Sequence, residues 1–217
     1  MSARAIRLPT SAEELVHAAT HGFGALLSVG VLIALVVGAA VHGTLTSIVA
    51  AGVFGVSLVL VYVSSTIYHS VPAHRSRAKL LFRIFDHAAI HLLIAGTFTP
   101  IALCGIGGAW GWALLAVSWS VAALGIVVET TPLRHSERLS IALYVGAGWL
   151  GVLAVPLLWS ALPTSALVCL GLGGLAYTAG VPFFLAHSRQ WMHALWHAFV
   201  LAGSAFHVAA IALVVLR

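Results

Sequence analysis

The chain is poor in charged residues: only 7% of its 217 residues are Asp, Glu, Lys or Arg, and Asp86 is the single aspartate. Soluble domains carry about 25% charged residues and about 45–50% apolar residues. Here the apolar share is 61%, and the mean hydropathy is +1.09. These values exclude an ordinary soluble domain and indicate an integral membrane protein.

Cysteine is scarce as well. Cys104 and Cys169 lie inside apolar stretches, where they are expected as buried small residues, so no disulfide framework is indicated.

A cleaved signal peptide is not indicated, because about 20 residues precede the first apolar stretch and no small-residue cleavage site follows a short hydrophobic core. We expect residues 1–20 to form a cytosolic tail. Two overlapping capping boxes between Thr10 and Glu14 predict a short amphipathic helix leading into the first span.

Apolar stretches long enough to cross a hydrocarbon core of about 30 Å predict the architecture. There are seven of them, at residues 22–41, 45–68, 84–104, 109–128, 139–158, 164–186 and 194–216. Their short connections predict one compact domain over residues 21–217. Pro100, Pro156 and Pro182 are expected to kink their spans. The predicted fold class is all-α, a seven-transmembrane-helix bundle.

The net charge of +5 is explained by membrane topology. Nine of the ten basic residues precede the first span or lie in alternate loops: Arg4, Arg7, Arg75, Arg77, Lys79, Arg83, Arg134, Arg138 and Arg189. The remaining loops carry none. Because basic residues are retained in the cytoplasm, this distribution predicts a cytoplasmic N-terminus. It also predicts that Arg217 lies on the outer side of the membrane. It gives no reason to expect a nucleic-acid partner.

Histidines suggest a metal site. His193 and His197 are four residues apart, so a helix puts both on one face, where one metal ion can bind them. The predicted topology brings His69, at the end of the second span, to the same depth. It also brings Asp86, in the first turn of the third span, and Ser65, one turn before His69. Metal sites in helix bundles are built from residues that are distant in sequence but meet at one level of the bundle.

Each residue also has a simpler explanation. Asp86 can pair with Arg83, His69 can cap its helix, and Ser65 can hydrogen-bond a carbonyl of its own helix. Taken together at one depth, they favour a metal site. Three neutral imidazoles leave the double charge of zinc uncompensated, and a hydroxide with one carboxylate would neutralise it. Three ligands plus water is the catalytic pattern for zinc, in which Asp86 would act on the water and Ser65 would hydrogen-bond the water or an oxyanion.

Four segments carry a family resemblance. They are Ser65-Thr-Ile-Tyr-His69, Phe82-Arg-Ile-Phe-Asp86-His87, Leu92-Leu-Ile-Ala-Gly-Thr-Phe-Thr-Pro100, and His193-Ala-Leu-Trp-His197 with the following Phe199-Val-Leu-Ala-Gly-Ser204. In combination they resemble the hemolysin III family of the progestin and adipoQ receptor superfamily, which is related to alkaline ceramidase-type membrane hydrolases. The resemblance spans almost the whole chain.

This resemblance implies one zinc ion per chain, held by His69, His193 and His197. It also implies that Asp86 contacts the metal through water, and that Ser65 lies beside it. Bacterial members are linked to membrane-lipid homeostasis. An N-terminal family motif is kept only in part: Glu14 and Thr20-His21 match it, but His17 stands where asparagine is usual. The family pattern therefore gives no reason to expect that the tail of this chain closes the site.

The predicted function is a membrane zinc hydrolase that cleaves a lipid amide or ester at the cytoplasmic leaflet. A zinc-stabilised sensor or receptor without turnover needs the same ligands and stays open. Pore formation, which the family name suggests, is less consistent with one polar cluster at one end of the bundle and no charged ring along a pore.

A di-iron lipid oxygenase is a further alternative. It would use the pairs His17 with His21 and His87 with His91, but the chain lacks adjacent histidines and has few acidic ligands. His207 is expected in the core, either hydrogen-bonded or lining a lipid cavity below the metal.

Overall fold

A computed structural model of the protein describes Arg7 and residues 9–217. Within this part the chain forms helices and no strands. The α-helices are α1 Ser11–His42, α2 Leu45–Ser70, α3 Ser76–Pro100, α4 Gly108–Thr130, α5 Glu137–Gly148, α6 Val155–Ala161, α7 Thr164–Leu185 and α8 Met192–Val215. A π-helix, Ile101–Ile106, extends α3. Two 3-10 segments, Pro132–His135 and Leu150–Ala154, precede α5 and α6.

Seven helical segments are long and apolar enough to cross a membrane, which confirms the predicted bundle. One of them, Glu137–Ala161, consists of α5, a 3-10 turn and α6. Two of the three prolines expected to kink their spans lie at changes of helix type: α3 becomes a π-helix directly after Pro100, and the 3-10 turn ends just before Pro156. Pro182 lies inside α7, which continues through it.

The first helix begins at Ser11, well before residue 22, where the first span is predicted to begin. Thr10 and Glu13 form one of the two predicted capping boxes: the Glu13 N–H donates to Thr10 Oγ1 at 3.3 Å, and the Thr10 N–H donates to Glu13 Oε2 at 2.9 Å. The amphipathic helix expected in residues 1–20 is therefore the first part of α1. The helix crosses the predicted boundary between residues 20 and 21 without a break.

A buried carboxylate joins the starts of α1 and α8. Glu13 is 2% exposed and accepts hydrogen bonds from Arg7 Nη1 at 3.1 Å and from the backbone N–H of Trp191 at 3.0 Å. Trp191 has φ 64, a left-handed conformation that is uncommon for a bulky residue and that persists only where neighbouring groups enforce it. Glu13 supplies such a contact. It therefore positions the first turn of α8, which carries His193.

Close approach between helices occurs beside the same region. A Cβ on Gly24 of α1 would stand 2.6 Å from the ring of Tyr62 on α2 and 3.0 Å from Leu201 on α8. A side chain at this position would push the three helices apart, and small residues at such contacts allow membrane helices to pack closely. Gly24 thus allows α1 to lie against α2 and α8 one turn beyond His21.

The two ends of the bundle differ in charge. Among the described residues, every Lys and Arg except Arg217 lies at the end where α1, α3, α5 and α8 begin. Arg217 lies at the other end, where its guanidinium donates to the carbonyls of Cys104 at 3.4 Å and Ala161 at 3.1 Å. The assignment of the basic end to the cytoplasm stays a prediction from charge.

Candidate metal centre

The three histidines predicted as ligands meet at the basic end of the bundle. His69 comes from the last turn of α2, and His193 and His197 come from the first turns of α8. One ligand atom from each lies within 4.8 Å of those from the other two. His69 and His197 are buried, with exposures of 6% and 1%, and His193 is half-buried. The arrangement is compact enough for one metal ion to bind all three.

A fourth histidine, which the sequence reasoning did not assign to the site, lies among them. His17 of α1 is 2% exposed, and with Glu14 and His69 it forms a second group whose ligand atoms lie within 4.8 Å of one another. A signal for it is present in the sequence. Buried residues of α1 follow a helical period on one face: Glu13, His17, His21, Gly24 and Ser28. Polar residues on the buried face of a membrane helix are functional candidates by default.

Helix α1 also orients the histidines of α2 and α8. His69 Nδ1 donates to the Glu14 carboxylate at 2.6 Å, and Lys79 Nζ donates to the same carboxylate at 2.8 Å. His197 Nδ1 lies 3.1 Å from Thr20 Oγ1. Because the Thr20 hydroxyl donates to the carbonyl of Val16, the imidazole is the donor in this contact. In both histidines Nε2 is therefore the nitrogen left to bind a metal, the usual arrangement of a metal-ligating histidine with an outer-shell partner.

Ser65 and Asp86 lie beside this cluster. Ser65 is 2% exposed, and its Oγ is hydrogen-bonded to His21 Nδ1 at 2.7 Å. Asp86 interacts with the Ser65 hydroxyl and electrostatically with His69. The Asp86 carboxylate does not belong to either group of possible ligand atoms. The structure thus brings all five predicted site residues to one end of the bundle, with Asp86 outside both groups of possible ligand atoms.

The donor set fits a divalent metal such as zinc. Among the described residues, His69 Nε2 and both ring nitrogens of His17 are buried and have no hydrogen-bond partner. Buried polar groups are normally paired, so unpaired imidazole nitrogens in a cluster of histidines are better explained as ligands than as packing residues. Zinc prefers imidazole nitrogen in sites of this kind.

The other histidine pair faces a different polar cluster. His87 Nδ1 lies 3.5 Å from Glu129 Oε2, and the buried Glu129 also accepts hydrogen bonds from Ser140 at 2.6 Å and Tyr144 at 3.0 Å. The ring of His91 packs 4.6 Å from that of Tyr144. The structure therefore separates the two pairs that a di-iron centre would combine.

A cavity of about 390 Å³ lies between α3, α5, α7 and α8. Its lining is mostly apolar, with a few polar groups that include Tyr177 and His207. The rings of these two residues are 5.3 Å apart. Phe184 and Trp196 also line the cavity, and the Phe184 ring is 6.2 Å from that of His193. The cavity therefore approaches the histidine cluster through aromatic side chains.

The amino-acid sequence matches the family described as Haemolysin-III related over residues 10–208, a range that includes every residue of this site. The chain belongs to the haemolysin III family. Hemolysin-3 of Bacillus cereus is 43% identical over 193 residues, which cover 89% of this chain and 87% of that protein. The Hemolysin-3 homolog of Bacillus subtilis (strain 168) is 41% identical over 196 residues, covering 90% and 91%. The Monocyte to macrophage differentiation factor of Homo sapiens is 26% identical over 211 residues, covering 94% and 84%.

Membership in the haemolysin III family confirms the resemblance identified from the four motifs. It agrees with the seven apolar helices in indicating a multi-pass membrane protein. The bacterial relatives are named as haemolysins, and that name refers to those proteins and not to this chain.

Proposed function

We propose that this haemolysin III protein is a zinc-dependent membrane hydrolase of lipid amides or esters. The observation that carries the proposal is the position of Asp86 and Ser65. They supply a carboxylate and a hydroxyl beside three histidines that can bind one metal ion. A proton acceptor and a hydrogen-bond donor placed near a metal are the groups that hydrolysis of a carbonyl compound requires.

The residues have distinct roles in this proposal. His69, His193 and His197 would hold zinc, which when bound would supply a water with a pKa of roughly 7 and a positive charge to polarise the substrate carbonyl. Asp86 accepts a proton from the attacking water and delivers it to the leaving nitrogen or oxygen. A carbon–oxygen bond forms from water to the carbonyl carbon, and the amide or ester bond breaks. Ser65, which lies within hydrogen-bond distance of His21 Nδ1, would donate a hydrogen bond to the developing oxyanion.

The cavity supports a lipid as substrate. Its mostly apolar lining suits an acyl chain, and the aromatic pair Phe184 and Trp196 connects it to His193. A chain that occupies the cavity would bring a carbonyl at its head toward the histidines. Fatty acyl groups bound in pockets of this type are held by apolar contact and oriented by a few polar groups.

Burial of the cluster favours a second candidate function. His197 is only 1% exposed, and α1 covers the histidines through Glu14 and Thr20. A site covered in this way also suits a zinc ion that stabilises a membrane sensor or receptor without turnover, since structural zinc sites are closed.

A turnover assay separates the two functions. The full chain, purified in detergent, loaded with zinc and mixed with lipid amides and esters in micelles, is expected to release free fatty acid detectable by mass spectrometry. Removal of zinc by a chelator should abolish the release, and addition of zinc should restore it. If zinc-loaded protein bound one metal per chain but cleaved no lipid of either class, the sensor would replace the hydrolase.

The orientation in the membrane is part of the proposal. The basic end of the bundle, which carries the metal centre, is expected in the cytoplasm, because loops rich in Lys and Arg are retained there. A reporter enzyme that works only outside the cytoplasm should be active when it is fused after Arg217 and inactive when it is fused before the first residue. The reverse result would place the site at the outer leaflet.

A further inference from the structure

Four imidazole rings at the basic end of the bundle are spaced almost equally. The ring centres of His17 lie 4.8 Å from those of His69 and His193 and 5.3 Å from that of His197. The distances among the other three rings are 5.1, 5.1 and 4.7 Å. Four points with six nearly equal separations are the corners of a tetrahedron. The four ring centres therefore surround one central point. The ligand atoms of His69, His193 and His197 form one compact group, whereas those of His17 group with Glu14 and His69, so the His17 ring must rotate to aim a nitrogen at that point.

The size of this tetrahedron matches a zinc site. An imidazole bound to zinc through one nitrogen at about 2.0–2.1 Å has its ring centre about 3.2 Å from the metal, and four such rings at tetrahedral angles stand about 5.2 Å apart. All six observed separations lie within about half an ångström of that value. Aromatic packing alone allows a wider range, about 4.5–7 Å, and does not require four rings to share a centre.

The hydrogen bonding of His17 points the same way. The ring is 2% exposed, and within the described part of the chain neither of its nitrogens has a hydrogen-bond partner. Its closest carboxylate contact is 3.9 Å, from Nδ1 to Glu14 Oε2, which is too long for a hydrogen bond. His69 and His197, by contrast, each have one nitrogen bonded to a residue of α1. His17 is thus a buried imidazole with both nitrogens free.

We propose that His17 is a fourth protein ligand, which completes a four-histidine site for a zinc-type divalent cation together with His69, His193 and His197. This inference rests on the proposed metal centre. In this resting state His17 occupies the position that the hydrolytic water needs. Turnover then requires His17 to leave the metal, so the N-terminal part of α1 controls access to the centre.

The coordination number can be counted directly. The purified full chain is loaded with Co²⁺ in place of zinc and studied by visible and X-ray absorption spectroscopy, which distinguish four imidazoles from three imidazoles plus an oxygen. The wild type is expected to show four. His17→Asn is expected to show three imidazoles and an oxygen, and to bind the metal at least ~10-fold more weakly, since even outer-shell changes cost 10–100-fold.

A matched control is available in His91→Asn. His91 is also buried and has two unpaired ring nitrogens, but it faces Tyr144 and Glu129 rather than the four rings. This variant should keep the wild-type spectrum and affinity. The wild-type spectrum alone counts the imidazoles even if His17→Asn fails to fold.

The outcomes separate this inference from the proposed function. One metal per chain with three imidazoles in the wild type, and the same spectrum in His17→Asn, overturns the role of His17 and leaves the three-histidine hydrolase intact. Failure of the wild type to bind one metal per chain overturns both. Four imidazoles in the wild type support the inference whatever the turnover assay shows, because the spectrum does not depend on activity.

Discussion

Replacing His197 with alanine is expected to weaken zinc binding and to reduce the stabilisation of the protein by zinc. His197 is buried in the cluster, and its replacement removes one of the three predicted ligands. A ligand that binds only the folded state stabilises it by about 3–4 kcal/mol when present at about 100 to 1,000 times its dissociation constant. For a chain of this size that corresponds to roughly 5–15 °C in Tm. The wild type should show this zinc-dependent shift, and His197→Ala should show a clearly smaller one.

The comparison has to be made between zinc-loaded and chelated samples of the same variant. His197 also stacks on His21, with ring centres 3.5 Å apart, so its loss leaves a void that lowers Tm with or without metal. Only the difference that zinc makes reports on ligation. His207→Ala is the control, because His207 lies on the same helix but lines the cavity. A zinc shift that survived unchanged in His197→Ala would remove this histidine from the site.

Most of the fold could be predicted from hydropathy, because a membrane requires long apolar helices. The start of the first helix could be predicted from its capping box, but the inward direction of the polar side chains that follow it could not. Residues 11–21 contain Glu13, Glu14 and His17, whose polarity resembles that of a solvated tail. In the structure these side chains turn inward to α2 and α8, where they build part of the site.

For the site, the sequence could predict the depth of the residues in the membrane but not their contacts. Charge topology placed His69, Asp86 and His193 at one level, and the structure brings them together there. The hydrogen bond between Glu14 and His69 joins residues 55 positions apart on different helices, and no spacing rule reports such a contact. His17 was noticed as a departure from a family motif and, paired with His21, as part of the di-iron alternative, but not as a member of the zinc site.

Replacing Asp86 with asparagine is expected to lower lipid hydrolysis by ~10²–10⁴-fold while leaving zinc bound. Asparagine has nearly the shape of aspartate and can still hydrogen-bond Ser65, but it cannot accept a proton. Because the Asp86 carboxylate is not among the possible ligand atoms, its loss should not change the metal content. The fall should appear in kcat, measured as fatty acid released per zinc-loaded molecule, with the zinc-dependent shift in Tm retained.

Glu137→Gln is the matched control, because it makes the same change from carboxylate to amide at an exposed residue at the start of α5. Its turnover should equal that of the wild type. Loss of zinc in Asp86→Asn would mean that Asp86 helps to hold the metal, and full activity would mean that the proton leaves by another route. Loss of turnover with zinc retained is the result that only a proton-transfer role for Asp86 predicts, because a purely structural zinc site has no turnover to lose.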